Sequence, residues 1–200
     1  MKFEIQHQDK YSRSELLLRT FFGTFYIGIP HLFLLMFIWI WGQLITFIAW
    51  FAILFTGKYP EELFEQIVGY YRWSFRLTAS LTGLFDGYPA FGLEQQEGDK
   101  IILEVPYPSQ ISRSQLILTW LFGIFYIGIP HGIILFFVSI WVSILSFLAW
   151  FVVLFTGQYP KEWHESIVNY YRWSLRVNLY YLCLTPDYPP FTGKRDSDIA

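Results

Sequence analysis

TFFGTFYIGIPHLFLLMFIWIWGQLITFIAWFAILFTG, residues 20–57, contains no Asp, Glu, Lys or Arg, and a second uncharged run covers residues 114–160. One membrane-spanning helix needs about 20 apolar residues, whereas these runs have about 38 and 47. The 200-residue chain is 54% hydrophobic and 22% aromatic. Only 15% of its residues are charged, against roughly 25% in a typical soluble domain. These features predict an α-helical integral membrane protein.

The chain consists of one unit repeated in tandem. About 42 of the 80 positions in residues 12–91 are identical to the positions 100 residues later. The shared blocks include SRS, YIGIPH, LFTG and YYRWS. The predicted division is a first repeat at 1–91, a linker at 92–100, a second repeat at 101–191 and a mobile tail at 192–200.

Each repeat is predicted to contain four parts, the last of which is a polar loop that ends in Tyr-Pro. A short alternating segment, MKFEIQ or KIILEV, predicts a β-strand. The membrane run follows, at about 15–56 and 115–156. A Gly then ends the run, and Pro60 or Pro160 suits the first turn of the next helix. That helix, at about 61–82 and 161–182, is amphipathic, and we expect it to lie at the membrane surface.

The number of membrane crossings depends on the flanking charges. Basic residues lie before and after both uncharged runs. Because cytoplasmic flanks carry excess Lys and Arg, this pattern favours a helical hairpin in each repeat, with both termini cytoplasmic. The turn would fall at residues 42–43 and 142–143, and Pro30 and Pro130 would kink the helices. The alternatives are one long kinked crossing per repeat, which would invert the repeats, or a re-entrant hairpin.

The motifs together resemble a known family. Ser-Arg-Ser, an apolar run with Ile-Pro-His, LFTG-x-YP, RWS-x-R and a closing YP-x-F occur in this order in both repeats. This order resembles the bacterial membrane family numbered 4389 among the domains of unknown function. The resemblance implies a multi-pass protein of the bacterial inner membrane. It implies no assigned activity and supplies no catalytic residues.

Two histidines, His31 and His131, follow the prolines within the uncharged runs. Ionisable residues at membrane depth are candidate functional groups. The two imidazoles could meet near a two-fold axis and bind a haem or a metal. Alternatively, each imidazole bonds a backbone carbonyl that the proline leaves free. The second interpretation is favoured, since no carboxylate or further His is nearby, and the sequence predicts no metal and no cofactor.

The amphipathic helices carry paired arginines. Arg72 and Arg76 share one helix face, as do Arg172 and Arg176. Arginine binds phosphate bidentately, so these residues are candidates for contact with lipid headgroups, together with the neighbouring Trp73 and Trp173. The alternative is pairing within the protein, with Glu62, Glu65 and their equivalents.

The composition excludes several classes of function. A net charge of −2 argues against a nucleic-acid partner, and one cysteine excludes an intramolecular disulfide. No paired nucleophile and base supports catalysis. We therefore expect a non-enzymatic membrane scaffold or accessory subunit, with lipid and other membrane subunits, or a second copy, as partners. The alternatives are a lipid- or solute-handling protein and, third, a bis-His haem or redox carrier.

Overall fold

The computed structural model describes residues 1–198, and residues 199–200 of the predicted tail lie outside it. The chain is mainly helical. Within residues 1–198, two strands and four helices follow one another in this order: β1 (Lys2–Ile5), α1 (Arg13–Thr56), α2 (Glu61–Leu81), β2 (Ile101–Glu104), α3 (Arg113–Thr156) and α4 (Lys161–Tyr181). A short 3-10 turn at Asp196–Asp198 follows α4. The two repeats therefore have the same element order, as the duplication predicts.

The two uncharged runs form the long helices α1 and α3, of 44 residues each. At the start of α1 the Ser12 hydroxyl accepts a hydrogen bond from the Glu15 N–H, which satisfies one of the free donors of the first turn. At its end Gly57 adopts a left-handed conformation with φ of 73°, and Gly157 does the same after α3 with φ of 71°. Glycine reaches this conformation without the steric cost that a side chain adds.

The predicted helical hairpin is wrong. Each long helix passes without interruption through residues 42–43 or 142–143, where the turn was expected. Gly42 lies in the helix interior against Ile67, and Ser143 donates a hydrogen bond to the Ser139 carbonyl of its own helix. Neither position has a residue that forces a reversal, so the apolar run continues as one helix. Each repeat therefore forms the single long helix on which the alternative of one long kinked crossing is based.

An irregular turn lies where the proline kink was predicted. Thr24–Gly28 and Ile124–Gly128 form π-helical turns, and each proline follows within the next helical turn. Four α-helical residues rotate by more than one full turn, so a stripe of buried residues at spacing four drifts around a regular helix. The wider π turn offsets this drift. It keeps one buried stripe facing inward, formed by Arg19, Gly23, Ile27, His31 and Leu35.

The shorter helices pack against the long helices of their own repeats. Contacts between α2 and α1 join Ile67 to Gly42, Trp73 to His31 and Leu81 to Gly23. The numbers rise along α2 as they fall along α1, so the two helices are antiparallel. The predicted bounds of α2, 61–82, agree with the observed 61–81.

A pseudo-two-fold axis relates the repeats. The Arg13 guanidinium donates to the Phe155 carbonyl at 3.0 Å, and Arg113 donates to the Phe55 carbonyl at 2.8 Å. The start of each long helix therefore meets the end of the other, and α1 and α3 run antiparallel. The same exchange occurs in the backbone, where the Tyr11 N–H donates to Gly157 and the Ile111 N–H donates to Gly57, both at 2.9 Å.

The two strands lie on this axis. β1 and β2 form an antiparallel ribbon in which Phe3 is paired with Leu103, its own equivalent in the other repeat. Phe3 and Leu103 are at most 1% exposed and belong to one apolar core shared by both repeats. The repeats are therefore interlocked around a common core and are not two separate domains.

Candidate functional site

The imidazole of His31 lies in an aromatic cluster between α1 and α2. Its Nδ1 accepts a hydrogen bond of 2.7 Å from the indole N–H of Trp73. One face of the ring is stacked on Phe91 with centroids 3.8 Å apart, and Tyr88 lies at 5.3 Å. The imidazole is fully buried, and its Nε2 has no partner among residues 1–198.

The second repeat builds the same cluster and completes it. His131 accepts from the Trp173 indole at 3.0 Å and is stacked on Phe191 at 4.0 Å. Here Nε2 bonds the Tyr188 hydroxyl at 3.1 Å. Both histidines thus act within their own repeats, as acceptors for a tryptophan. Neither the shared metal site nor the bond to a carbonyl freed by the proline matches this arrangement.

The arginines of α2 are turned into the protein. Arg72 donates to the Leu93 carbonyl at 2.6 Å and the Leu103 carbonyl at 3.2 Å. Arg76 is 2% exposed and donates to the Gly92 carbonyl, the Glu94 carbonyl and the Asp99 carboxylate. The two guanidinium groups therefore hold residues 92–99, most of the predicted linker at 92–100, against α2.

The arginines of α4 hold the equivalent segment of the second repeat. Arg172 donates to the Phe3 and Gly193 carbonyls, and Arg176 donates to the Thr192 and Lys194 carbonyls and to Asp196. Residues 192–198, predicted as a mobile tail, are thus packed in the same way as 92–99. Gly193 permits this, because a Cβ there would lie 1.9 Å from the Asn169 carbonyl oxygen.

These contacts correct the headgroup interpretation. Arg76, Arg172 and Arg176 are buried, and Arg72 bonds two carbonyls, so their guanidinium groups have protein partners. The partners are backbone carbonyls of loops and of the two strands, two aspartates and Asn169, whereas the alternative of pairing within the protein named Glu62, Glu65 and their equivalents. Trp73 and Trp173 are 4% and 6% exposed and bond the histidines, so they are not membrane-surface anchors.

Sequence reasoning missed a charged cluster at the start of α1. Arg19 is buried and donates to the Phe85 carbonyl at 2.6 Å and to Glu15 at 2.5 Å, with Asp86 at 3.8 Å. Burial raises the pKa of the Asp86 carboxyl above its usual range, while the nearby Arg19 charge acts in the opposite direction. The only signal in the sequence was an arginine one residue before an uncharged run.

A second missed residue is His164 on α4, at the position that Phe64 occupies in the first repeat. It is 3% exposed, and its Nε2 lies 3.2 Å from the Leu84 carbonyl. Burial lowers the pKa of His164 from 6.5 to about 4, so the ring is neutral at neutral pH. The ring of His7 lies edge-on at 5.1 Å.

The largest surface feature is the exposed apolar side of α1 and α3. Most of the apolar stretch of each long helix lies at the surface of the described protein, since only 28% of it is buried in α1 and 17% in α3. The exposed side chains reach from one end of each helix to the other, for example Phe21 (67%), Phe33 (58%) and Phe55 (72%). We call this surface the apolar belt. A contiguous exposed surface of this extent indicates contact with a membrane or a partner.

A recess of about 350 Å³ opens between α1, the middle of α2 and the end of α4. Its lining combines aromatic rings with neutral hydrogen-bonding groups, namely Trp39, Gly42, Gln43, Thr46, Ile67, Tyr70, Tyr71, Asn178, Tyr181 and Leu182. The described residues contain no group of three or more His, Cys, Asp or Glu side chains placed to hold a metal ion.

These features define a two-repeat, mainly helical protein whose two long apolar helices are candidates for insertion into a membrane. The chain belongs to the family described as a domain of unknown function, DUF4389, which matches twice, at residues 13–92 and 118–193. The double match confirms the tandem duplication. No curated protein and no solved structure matches the chain.

Proposed function

We propose that this protein is a non-enzymatic scaffold or accessory subunit embedded in the bacterial inner membrane, where it supports a larger membrane complex or a second copy of itself. The observation that carries the proposal is the apolar belt. Large apolar side chains line 44-residue helices and have no protein neighbour among residues 1–198 to cover them. Lipid and the helices of a partner are the surroundings in which such a surface is stable.

The polar groups support a structural role. The buried arginines and histidines described above are each bonded to a loop carbonyl, an aspartate or an indole of the same chain. Such bonds hold loops against helices. They do not place a nucleophile beside a base, as covalent catalysis requires.

Extraction of the native membrane into polymer nanodiscs, followed by mass measurement, tests the proposal. We expect the chain in the membrane fraction, at a mass that includes further membrane subunits or a second copy. A water-soluble monomer after cell fractionation would contradict membrane embedding. A lone monomer in nanodiscs that turns over an added substrate would contradict the scaffold role.

A lipid-handling role is the second candidate, and the recess between α1, α2 and α4 favours it. The second repeat has Val142 at the position of Gly42, so Gly42→Val adds a side chain that this fold already accepts in its other half. A Cβ at Gly42 meets only Ile67, at an ordinary contact distance of 3.5 Å. If the recess holds a lipid, native mass spectrometry of Gly42→Val should show loss of a bound lipid that the parent retains. An unchanged lipid count would remove the reason for this role.

A further inference from the structure

The pseudo-two-fold axis limits how α1 and α3 can sit in a bilayer. Because the two helices run antiparallel, the axis that relates them lies at right angles to both. In an upright arrangement the helices cross the membrane and the axis lies in the membrane plane. In a flat arrangement with α1 and α3 at the same depth, both helices lie in the membrane plane and the axis follows the membrane normal. The two arrangements place the β1–β2 ribbon, which lies on the axis, in different surroundings.

The upright arrangement puts the ribbon at the middle of the bilayer. Arg72 bonds the carbonyl of Leu103 in β2 at 3.2 Å. The next residue, Trp73, bonds His31, which lies near the midpoint of α1. These two contacts place the ribbon level with the centre of the long helices.

The ribbon and its adjoining segment are unsuited to the hydrocarbon core of a bilayer. Four exposed charged residues lie on the ribbon or on the adjoining segment: Lys2, Glu94, Glu97 and Glu104. A charged side chain at the bilayer centre is strongly unfavourable, because it loses its hydration there. In the upright arrangement the guanidinium groups of Arg72 and Arg172, which bond the outer carbonyls of Leu103 and Phe3, also lie at this level.

The length of the apolar belt also argues against the upright arrangement. A helix of 44 residues is about 66 Å long, whereas the hydrocarbon core of a bilayer is about 30 Å thick. Upright helices would therefore leave apolar side chains such as Phe21 and Phe55 in water at the two ends. Tilting α1 until its uncharged length fits the core needs about 60°, beyond the range of about 0–40° for membrane helices.

We infer that the protein enters only one leaflet, with α1 and α3 lying flat in the plane of the membrane and the ribbon facing water. This inference rests on the proposed function, since it requires the apolar belt to contact lipid. The occupant of the belt is the acyl region of a single leaflet, and none of residues 1–198 reaches the opposite side. The α2 and α4 helices then connect the embedded helices to the polar ribbon and to the segments 92–99 and 192–198.

Measuring the depth of three points on α1 tests the orientation. Phe21, Phe33 and Phe51 are exposed, lie opposite the buried stripe and cover about 45 Å of the helix. Each is changed singly to cysteine, spin-labelled, and reconstituted in vesicles of phosphatidylethanolamine and phosphatidylglycerol. The depth is read from collisions with oxygen and with a water-soluble nickel complex. The parent chain, whose Cys183 is buried, serves as the unlabelled control. Leu121, Ile133 and Phe151 provide the matched set on α3.

The flat arrangement predicts one shared depth, about 5–10 Å below the headgroup boundary, for all three labels in both sets. The upright arrangement predicts Phe33 near the bilayer centre, about 15 Å deep, with Phe21 and Phe51 in contact with water. That second profile would overturn the inference and leave the proposed function standing. Labels that stay in water in the presence of vesicles would overturn both.

Discussion

At the starts of their long helices, the two repeats use different side chains to satisfy an equivalent loop carbonyl. In the first repeat, the charged Arg19 satisfies the Phe85 carbonyl and requires Glu15 and Asp86 as partners. In the second repeat, threonine and proline stand at the positions of Arg19 and Asp86. The amide of Gln115 donates to the equivalent Thr185 carbonyl at 2.9 Å.

This difference shows which feature of the donor the fold requires and which feature belongs to one repeat only. The loop that follows each short helix turns its carbonyls inward, and a donor must meet them, because an unpaired buried carbonyl costs about 1–3 kcal/mol. A neutral amide is sufficient in the second repeat. The charge in the first repeat is therefore not needed for the fold itself, and exchanging residues between the copies tests this account.

The largest effect on stability is expected at Arg76 and Arg176, which are equivalent arginines paired with aspartates of different exposure. Asp99, the partner of Arg76, has a side chain 10% exposed, whereas Asp196, the partner of Arg176, is 52% exposed. Breaking a buried ion pair costs about 3–5 kcal/mol, and an exposed pair contributes about 0–1 kcal/mol. Arg76→Gln should therefore lower the unfolding temperature clearly more than Arg176→Gln, measured by circular dichroism in micelles. Equal shifts would mean that the carbonyl bonds, which both arginines make, carry the stability.

A smaller, pH-dependent effect is expected at His164. Its folded pKa, about 4, lies below the unfolded value of 6.5. The unfolded state therefore binds more protons between these values, and the stability that is present above pH 6.5 is lost as the pH falls towards 4. The expected loss in the free energy of unfolding is on the order of 3 kcal/mol.

The first repeat has phenylalanine, Phe64, at the position of His164. We therefore expect His164→Phe to remove most of the loss of stability between pH 6.5 and 4. The measurement is the unfolding temperature of His164→Phe and of the parent across this pH range. Phe64 is fully buried in the equivalent place, so the substitution has a precedent within the chain. If His164→Phe loses as much stability as the parent between pH 6.5 and 4, other groups cause the pH dependence.

The smallest effect is expected from transplanting the neutral chemistry into the first repeat. Arg19→Thr alone removes the donor to the Phe85 carbonyl and leaves Asp86 without its nearest cation, so we expect a loss of roughly 1–3 kcal/mol. Adding Glu15→Gln supplies the amide that Gln115 provides in the second repeat, and it should recover part of the loss. The measurement is denaturant unfolding of the single and double variants. No recovery in the double variant would mean that the first repeat depends on the charge itself.

Much of the fold was predictable from local signals. The duplication follows from identity at a fixed spacing, and the start of α2 follows from Gly57 and Pro60. The hairpin was predicted because the length of an uncharged run does not show whether the helix folds back. The rule on positive residues also assumes a crossing, so it could not distinguish a hairpin from a flat helix.

The candidate site was less predictable, because most acceptors of its arginines lie in loops. The spacing of Arg72 and Arg76 correctly placed them on one helix face. It could not show that residues 92–99 return to that face and present their carbonyls there. The pairing of each histidine with a tryptophan 42 residues later likewise depends on how α1 and α2 pack, and no local pattern reports it.

The most direct test of the flat arrangement is oriented circular dichroism of the unlabelled protein in aligned bilayers. The helices within each repeat are antiparallel, as are α1 and α3, so the helix axes add to one strong orientational signal. With light along the membrane normal, the flat arrangement predicts that the negative band polarised along the helix axis is retained at full strength. Loss of that band would show helices along the normal, and it would contradict insertion into a single leaflet.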